Sequence, residues 1–214
     1  MIERQRIDLL HNNHEINVED LGAGSRHFKT TKRNIGDIAR TSLSPLKYSM
    51  LYRSLIRRNK AQSVVELGTS LGINTLYMGH NVDARIYTFE GSSGIAGIAQ
   101  ELFERTRSGN ISLIRGDIDK TLPDVLSQIE VIDFALMDAN HRYEPTLRYF
   151  ELLLPRVKQS SVIAIDDIHY STEMARAWQA IKQCNAVYGS VDLFRCGLVF
   201  FDPSLNRQHF VLQF

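Results

Sequence analysis

The run Val64-Val65-Glu66-Leu67-Gly68-Thr69-Ser70-Leu71-Gly72 constrains this chain more than any other stretch. A β-branched and aliphatic segment ends on an acid, turns on two glycines, and resumes as an apolar-periodic segment through Leu76, Tyr77 and Met78. That pattern reads as strand, glycine-rich turn, helix. Glycine admits positive φ and the close approach of a ligand, and the helix that follows presents unpaired N–H groups. A ligand is therefore expected at the turn. The spacing is not that of a dinucleotide fold, which needs G-x-G-x-x-G; here it is E-x-G-x-x-x-G. Glu66 supplies an acceptor beside the turn, and a carboxylate suits a cationic or amino-bearing ligand better than a phosphate.

The chain beyond repeats strand and helix. Arg85 to Glu90 alternates into a second strand ending on a carboxylate. Glu90 stands 22 residues past Gly68 (90 − 68), near the interval of about 20 at which nucleoside-binding folds place an acid on ribose hydroxyls. Gly91-Ser92-Ser93-Gly94 opens a helix, and Ile111 to Arg115 gives a third strand closed by Gly116-Asp117-Ile118. A fourth strand, Val131 to Met137, runs into Asp138-Ala139-Asn140-His141, and a fifth, Ser161 to Ile165, into Asp166-Asp167-Ile168-His169. Neighbouring strands thereby set three carboxylates and two imidazoles on one rim, at the end where open α/β sheets bind ligands. Such like charges are costly unless hydrogen-bonded, protonated or bound to a cation, and all-oxygen donors favour Mg²⁺, Ca²⁺ or Mn²⁺ over zinc. Val191–Phe194, Leu198–Phe201 and Phe210–Phe214 read as further β segments, with a turn at Asp202 to Asn206 between the last two.

Glu66 to Gly72 resembles the first motif of the class I S-adenosylmethionine-dependent methyltransferases, and the ordered features after it extend the resemblance over residues 45–214. The resemblance implies an α/β, Rossmann-like seven-stranded sheet of order 3-2-1-4-5-7-6, its last strand antiparallel, with helices on both faces. It implies that Glu66, Gly68, Thr69, Ser70 and Gly72 hold the amino-acid end of S-adenosylmethionine and that Glu90 and Gly91 meet its ribose. Asp117 would accept from the adenine amino group, with Ile118 packed on the ring, and Asp138 is counted with the cofactor-binding residues too. The rim resembles small-molecule O-methyltransferases of the metal-dependent type, the catechol and caffeoyl-CoA enzymes and sugar O-methyltransferases. This implies Asp138, Asp166 and Asp167 as ligands of Mg²⁺ or another divalent cation that orients a hydroxyl. Catechol-type enzymes place a lysine base three residues after the first ligand acid, where this chain has His141. The sugar-modifying group places an acid two residues after it, where this chain has Asn140, which accepts no proton. His141 is thus the candidate base, with Asp138 and His169 beside it as further catalytic candidates. Structural readings stand next to these: Asp117 caps the following helix, Asp166 or Asp167 caps the helix at Ser171, the imidazoles serve a structural network, and Trp178 belongs to the core rather than bordering the acceptor pocket.

Formal net charge is +1, so no global electrostatic case exists for nucleic acid or an anionic membrane. No apolar run is long enough to span a bilayer and no signal core opens the chain, so a cytoplasmic location is expected. Cys184 and Cys196 read as ordinary thiols. Residues 1–44 form an N-terminal extension with a basic cluster (Arg26, His27, Lys29, Lys32, Arg33) and helical periodicity in Ile35, Ile38 and Ala39, read either as a lid over the cofactor cleft or as a solvated arm. Ser44-Pro45 then starts the catalytic domain of residues 45–214 as N-cap and first helical residue. The expected activity is O-methylation of a small-molecule hydroxyl. The alternatives are a nucleic-acid methyltransferase, an NAD(P)-dependent oxidoreductase, or a non-catalytic protein on the same fold, with the choice between monomer and homodimer open.

Overall fold

The computed structural model describes residues 1–19 and 31–214; Arg26, His27 and Lys29 lie outside them. The extension supplies α1 (Ile2–Leu10), a small antiparallel ladder of β1 (Glu15–Asn17) with β2 (Lys32–Asn34), and α2 (Ile35–Ser42). The domain follows as α3 (Leu46–Arg58), β3 (Ser63–Leu67), α4 (Ile73–Gly79), β4 (Arg85–Glu90), α5 (Ser93–Arg105), β5 (Ile111–Arg115), α6 (Ile118–Leu126), β6 (Ile132–Met137) and α7 (Tyr143–Leu153). It closes with β7 (Val157–Ile165), α8 (Thr172–Gln183), β8 (Gly189–Asp192), β9 (Gly197–Phe200) and β10 (Gln208–Val211). Helix α3 begins one residue later than the sequence suggests, with Pro45 itself as N-cap, because Ser44 is buried and its carbonyl accepts from Arg6 Nη1 at 3.0 Å.

The large sheet runs β5-β4-β3-β6-β7-β9-β8-β10. Counted from β3, its first seven strands have the expected order 3-2-1-4-5-7-6, and β9 is antiparallel to both its neighbours. The sheet departs from expectation at its edge, where β10 adds an eighth strand. The closing hairpin is β8–β9, turned at Leu193 to Cys196, whereas the turn at Asp202 leads to β10, which pairs parallel with β8. The reason is steric: β7 and β8 already fill both edges of β9, so the last segment adds to β8, the open edge next to it.

Central strands β3 and β6 are buried almost throughout, as parallel strands between two helical layers require. Val65, Leu67, Ala135, Met137 and Ile163 face α6, α7 and α8, in a layer that includes Trp178. Val64, Phe134, Leu136 and Ala164 face the other way, against Tyr48, Tyr52 and Ile56 of α3. By the same alternation, Glu66 and Asp166 fall on the α3 and α4 side. The described part of the extension is packed rather than free: Ile2, Leu9, Ile35, Ile38 and Ala39 form one core with Leu71, Ile73 and Leu76 beside the turn and with Ala99, Leu102 and Phe103 of α5. Among the described residues no helix is long and apolar enough to cross a membrane.

Candidate active site

Three loops lie side by side where adjacent parallel strands β3, β4 and β5 end. In the first, Gly68 (φ +104°), Ser70 (φ +48°) and Gly72 (φ +82°) all adopt left-handed backbone. Gly68 and Thr69 both donate their N–H to the Phe89 carbonyl, at 3.1 and 2.9 Å, which folds the turn over the end of β4. A Cβ at Gly68 would stand 2.2 Å from the Asp138 carbonyl oxygen, and one at Gly72 would stand 2.8 Å from the Phe103 ring. Glu90 joins the first two loops: its carboxylate accepts from Ser70 N–H and from Ser92 N–H, each at 2.9 Å. Gly91, half-buried, lies between Glu90 and Ser92. Gly116 N–H donates to the Glu90 carbonyl at 2.9 Å and ties in the third loop. There Asp117 caps α6 by accepting from Asp119 N–H at 3.0 Å, and Ile118 packs against the core beneath.

Glu66 sits beneath the turn rather than beside it. Fully buried, it accepts from Thr75 Oγ1 at 2.5 Å, Thr88 Oγ1 at 2.6 Å and Asn74 Nδ2 at 3.3 Å, while Thr69 and Thr88 hydroxyls meet at 2.6 Å. Burial raises its pKa to about 7 against the pull of those three donors. The carboxylate braces β3, β4 and α4 together and so fixes the turn from below.

The other side of the crevice is built from β6, β7 and the β8–β9 hairpin. Asp138 and His141 meet there, Nε2 to Oδ1 at 3.5 Å, with side chains 19% and 24% exposed respectively. Burial and the nearby Asp166 and Asp167 push the Asp138 carboxyl well above its usual range. Burial lowers the pKa of His141, with the same two carboxylates opposing. Its Nδ1 is buried with no hydrogen-bond partner among the described residues, and its ring lies 5.8 Å from that of Tyr170. Asn140 (φ +66°), His141 (φ +27°) and Asp167 (φ +53°) hold left-handed conformations that non-glycine residues seldom adopt. His169 is exposed and engaged elsewhere, Nε2 to Asp192 Oδ2 at 2.9 Å, with its ring 5.7 Å from Phe194.

The expected metal set does not survive the geometry. Asp166 is 1% exposed and already holds a cation: Arg195 donates Nη2 to Oδ2 at 2.9 Å and Nε to Oδ2 and Oδ1 at 3.2 and 3.3 Å, and Tyr52 OH reaches Oδ1 at 3.4 Å. The same Nη2 lies 3.8 Å from Asp167 Oδ1. Among the described residues no three His, Cys, Asp or Glu side chains are grouped to hold a metal ion. A guanidinium answers the like-charge problem of this rim, so Asp138, Asp166 and Asp167 do not fit a divalent cation. Arg195, Tyr52 and Asp192 were missed from the sequence, which carries no local signal for them.

A family model described as a methyltransferase domain matches residues 65–168, the span from the glycine turn to the Asp166-Asp167 loop. Comparison with curated proteins gave no match. Among solved structures, the chain is similar to an O-methyltransferase from Bacillus cereus in complex with SAH (19% identity, 75% of this chain and 83% of that one, TM-score 0.66). It is similar too to the O-methyltransferase TomG from Streptomyces achromogenes, involved in tomaymycin synthesis and solved with SAM (17% identity, 75% and 82% covered, TM-score 0.66). SAH-bound PaMTH1 of Podospora anserina aligns over 94% of both chains at 16% identity and TM-score 0.66. At these identities the likeness is one of fold. Residues 65–168 match a model of the methyltransferase domain, and the chain has the fold of the class I S-adenosylmethionine-dependent methyltransferases.

Proposed function

We propose that this chain transfers the methyl group of S-adenosylmethionine to a hydroxyl of a small molecule. The observation that carries the reading is the backbone contact between Gly68 and Asp138, which sets the cofactor turn directly against the acceptor rim. S-adenosylmethionine, when bound, would supply a sulfonium methyl that passes to the acceptor oxygen by in-line displacement, the C–S bond breaking as the O–C bond forms and S-adenosylhomocysteine leaving as the neutral thioether. The residues of the chain hold and deprotonate. The turn Gly68 to Gly72, with Thr69 and Ser70, takes the amino-acid end, and Glu90 beside Gly91 offers acceptors to the ribose hydroxyls. Asp117 and Ile118 border the adenine. His141 takes the proton of the acceptor hydroxyl, since its lowered pKa keeps the imidazole neutral and ready to accept at neutral pH. Asp138 orients that ring. His169, already partnered by Asp192, stands further from this step. The described part of the 1–44 extension belongs to the same site, because Ser42 Oγ at the end of α2 lies 2.8 Å from Ser70 Oγ; we read it as a lid.

Calorimetric titration with S-adenosylhomocysteine tests the cofactor reading. Binding in the micromolar range, about −8 kcal/mol, is expected. Glu90→Ala should weaken it by about 1.5–3 kcal/mol, the usual worth of hydrogen bonds to a charged group, with Glu90→Gln intermediate. Absence of binding by the unmodified chain would overturn the reading.

A further inference from the structure

Arg195 is held in place at both ends. Its backbone lies in the β8–β9 turn, where Leu193 N–H donates to the Cys196 carbonyl and Arg195 N–H to the Leu193 carbonyl, each at 2.9 Å. The Arg195 carbonyl accepts from Ile168 N–H at 3.1 Å, so the arginine is fastened to the very loop that carries Asp166 and Asp167. Its side chain, 31% exposed, spends one edge of the guanidinium, Nε and Nη2, on Asp166 and has the Tyr48 ring 6.0 Å away. Against the cost of partial burial, Asp166 and Asp167 keep it firmly charged. Nη1 alone makes no hydrogen bond to any described residue.

We propose that Arg195 is the resident cation of the acceptor site, holding Asp166 and Asp167 in the role a divalent ion would fill and offering Nη1 to the acceptor's oxygen. The inference rests on the methyltransferase reading above. It narrows the acceptor class: a divalent ion binds two neighbouring substrate oxygens, whereas one free guanidinium nitrogen grips a single oxygen that carries negative charge as its proton leaves. The acceptor is then a single acidic hydroxyl, of the phenol or enol kind, and a vicinal diol gains nothing.

Mn²⁺ titration followed by electron paramagnetic resonance tests this without an acceptor in hand. The unmodified chain should bind no Mn²⁺ saturably. Arg195→Met, which clears the guanidinium, should gain one ion per chain and lose it again when Asp167→Asn is added. One ion bound by the unmodified chain and weakened by Asp167→Asn alone would overturn the proposal, as would Arg195→Met that folds and gains none. If Arg195→Met does not fold, the unmodified chain still decides, because a saturable ion there overturns the proposal and its absence supports it. Turnover of any acceptor that Mg²⁺ raises and a chelator abolishes would overturn it equally. The S-adenosylhomocysteine titration reads the methyltransferase proposal separately, so the two failures cannot be confused.

Discussion

Where β3, β4 and β5 end, the crevice is lined by backbone, and where β6, β7 and the β8–β9 hairpin end it is lined by charge. On the first side Gly68, Gly72 and Gly116 take positive φ, and the carboxylate of Glu90 accepts from two main-chain N–H groups. On the second side Asp138, Asp166, Asp167 and Arg195 hold one another in a partly dry rim, with His141 among them. A ligand of fixed shape can be met by backbone, and substitutions there act through sterics. A reacting oxygen whose charge changes must be met by side chains, and substitutions there act through electrostatics. The two sides should therefore respond differently to mutation and to pH.

The largest expected effect is that of Arg195→Ala. It leaves Asp166 buried without its cation, a change worth about 3–5 kcal/mol when one partner of a buried pair is removed. Without the arginine the Asp166 carboxyl, which burial already raises, rises further. A raised folded pKa means stability that is present in acid and lost as pH climbs, so the deficit should grow with pH in urea unfolding. Gly68→Ala should cost about 3 kcal/mol, from positive-φ strain together with overlap on the Asp138 carbonyl. That deficit should be flat with pH. Parallel pH profiles for the two variants would break the distinction between the sides.

The backbone side was the more legible in the sequence, and the reason is range. Strand, turn and helix around Gly68 are contiguous, and Glu90 and Asp117 close the next two strands, so period and punctuation place them. Arg195 meets Asp166 across 29 residues, from a hairpin turn whose residue types give no hint of a partner. Glu66 was misplaced for another reason: an acid before a glycine turn looks solvent-facing, yet a central parallel strand has no solvent face, and Thr75 and Thr88 supply what water would. The strand order followed from the resemblance, whereas β10 depended on which edge remained open. The apolar period of Ile35, Ile38 and Ala39 announced a helix but not the core it shares with residues of α1, α4 and α5.

Glu66 gives a pH test on the backbone side, with an effect up to about 3 kcal/mol. Its folded pKa of about 7 lies above the ordinary glutamate value of 4.5, so the folded chain binds the extra proton between those values. Stability contributed by the protonated form is full below about pH 4.5 and is lost as pH rises through 7; one pKa unit corresponds to about 1.4 kcal/mol. Glu66→Gln cannot ionise and should flatten this part of the stability profile. An unchanged slope from pH 5 to 7.5 would show that the three donors, rather than burial, set the titration of this group.

The smallest effect separates two glycines of one helix. In α5, a Cβ at Gly94 would stand 2.1 Å from the Asn17 carbonyl of β1, whereas one at Gly97 meets nothing within 4 Å. Gly94→Ala should push the extension off α5 and lower stability. If the extension closes over the cofactor, the affinity for S-adenosylhomocysteine should fall with it; unchanged affinity would make the extension a strut. Gly97→Ala only removes a flexible residue from a helix interior and should add about 0.5–1 kcal/mol, raising the melting temperature by about 1–4 °C in a chain of this size with affinity untouched. A loss of affinity at Gly97→Ala would mean that α5 itself moves when the cofactor binds. The backbone side would then be responsive rather than preformed, and the contrast between its two glycines would measure that motion instead of packing.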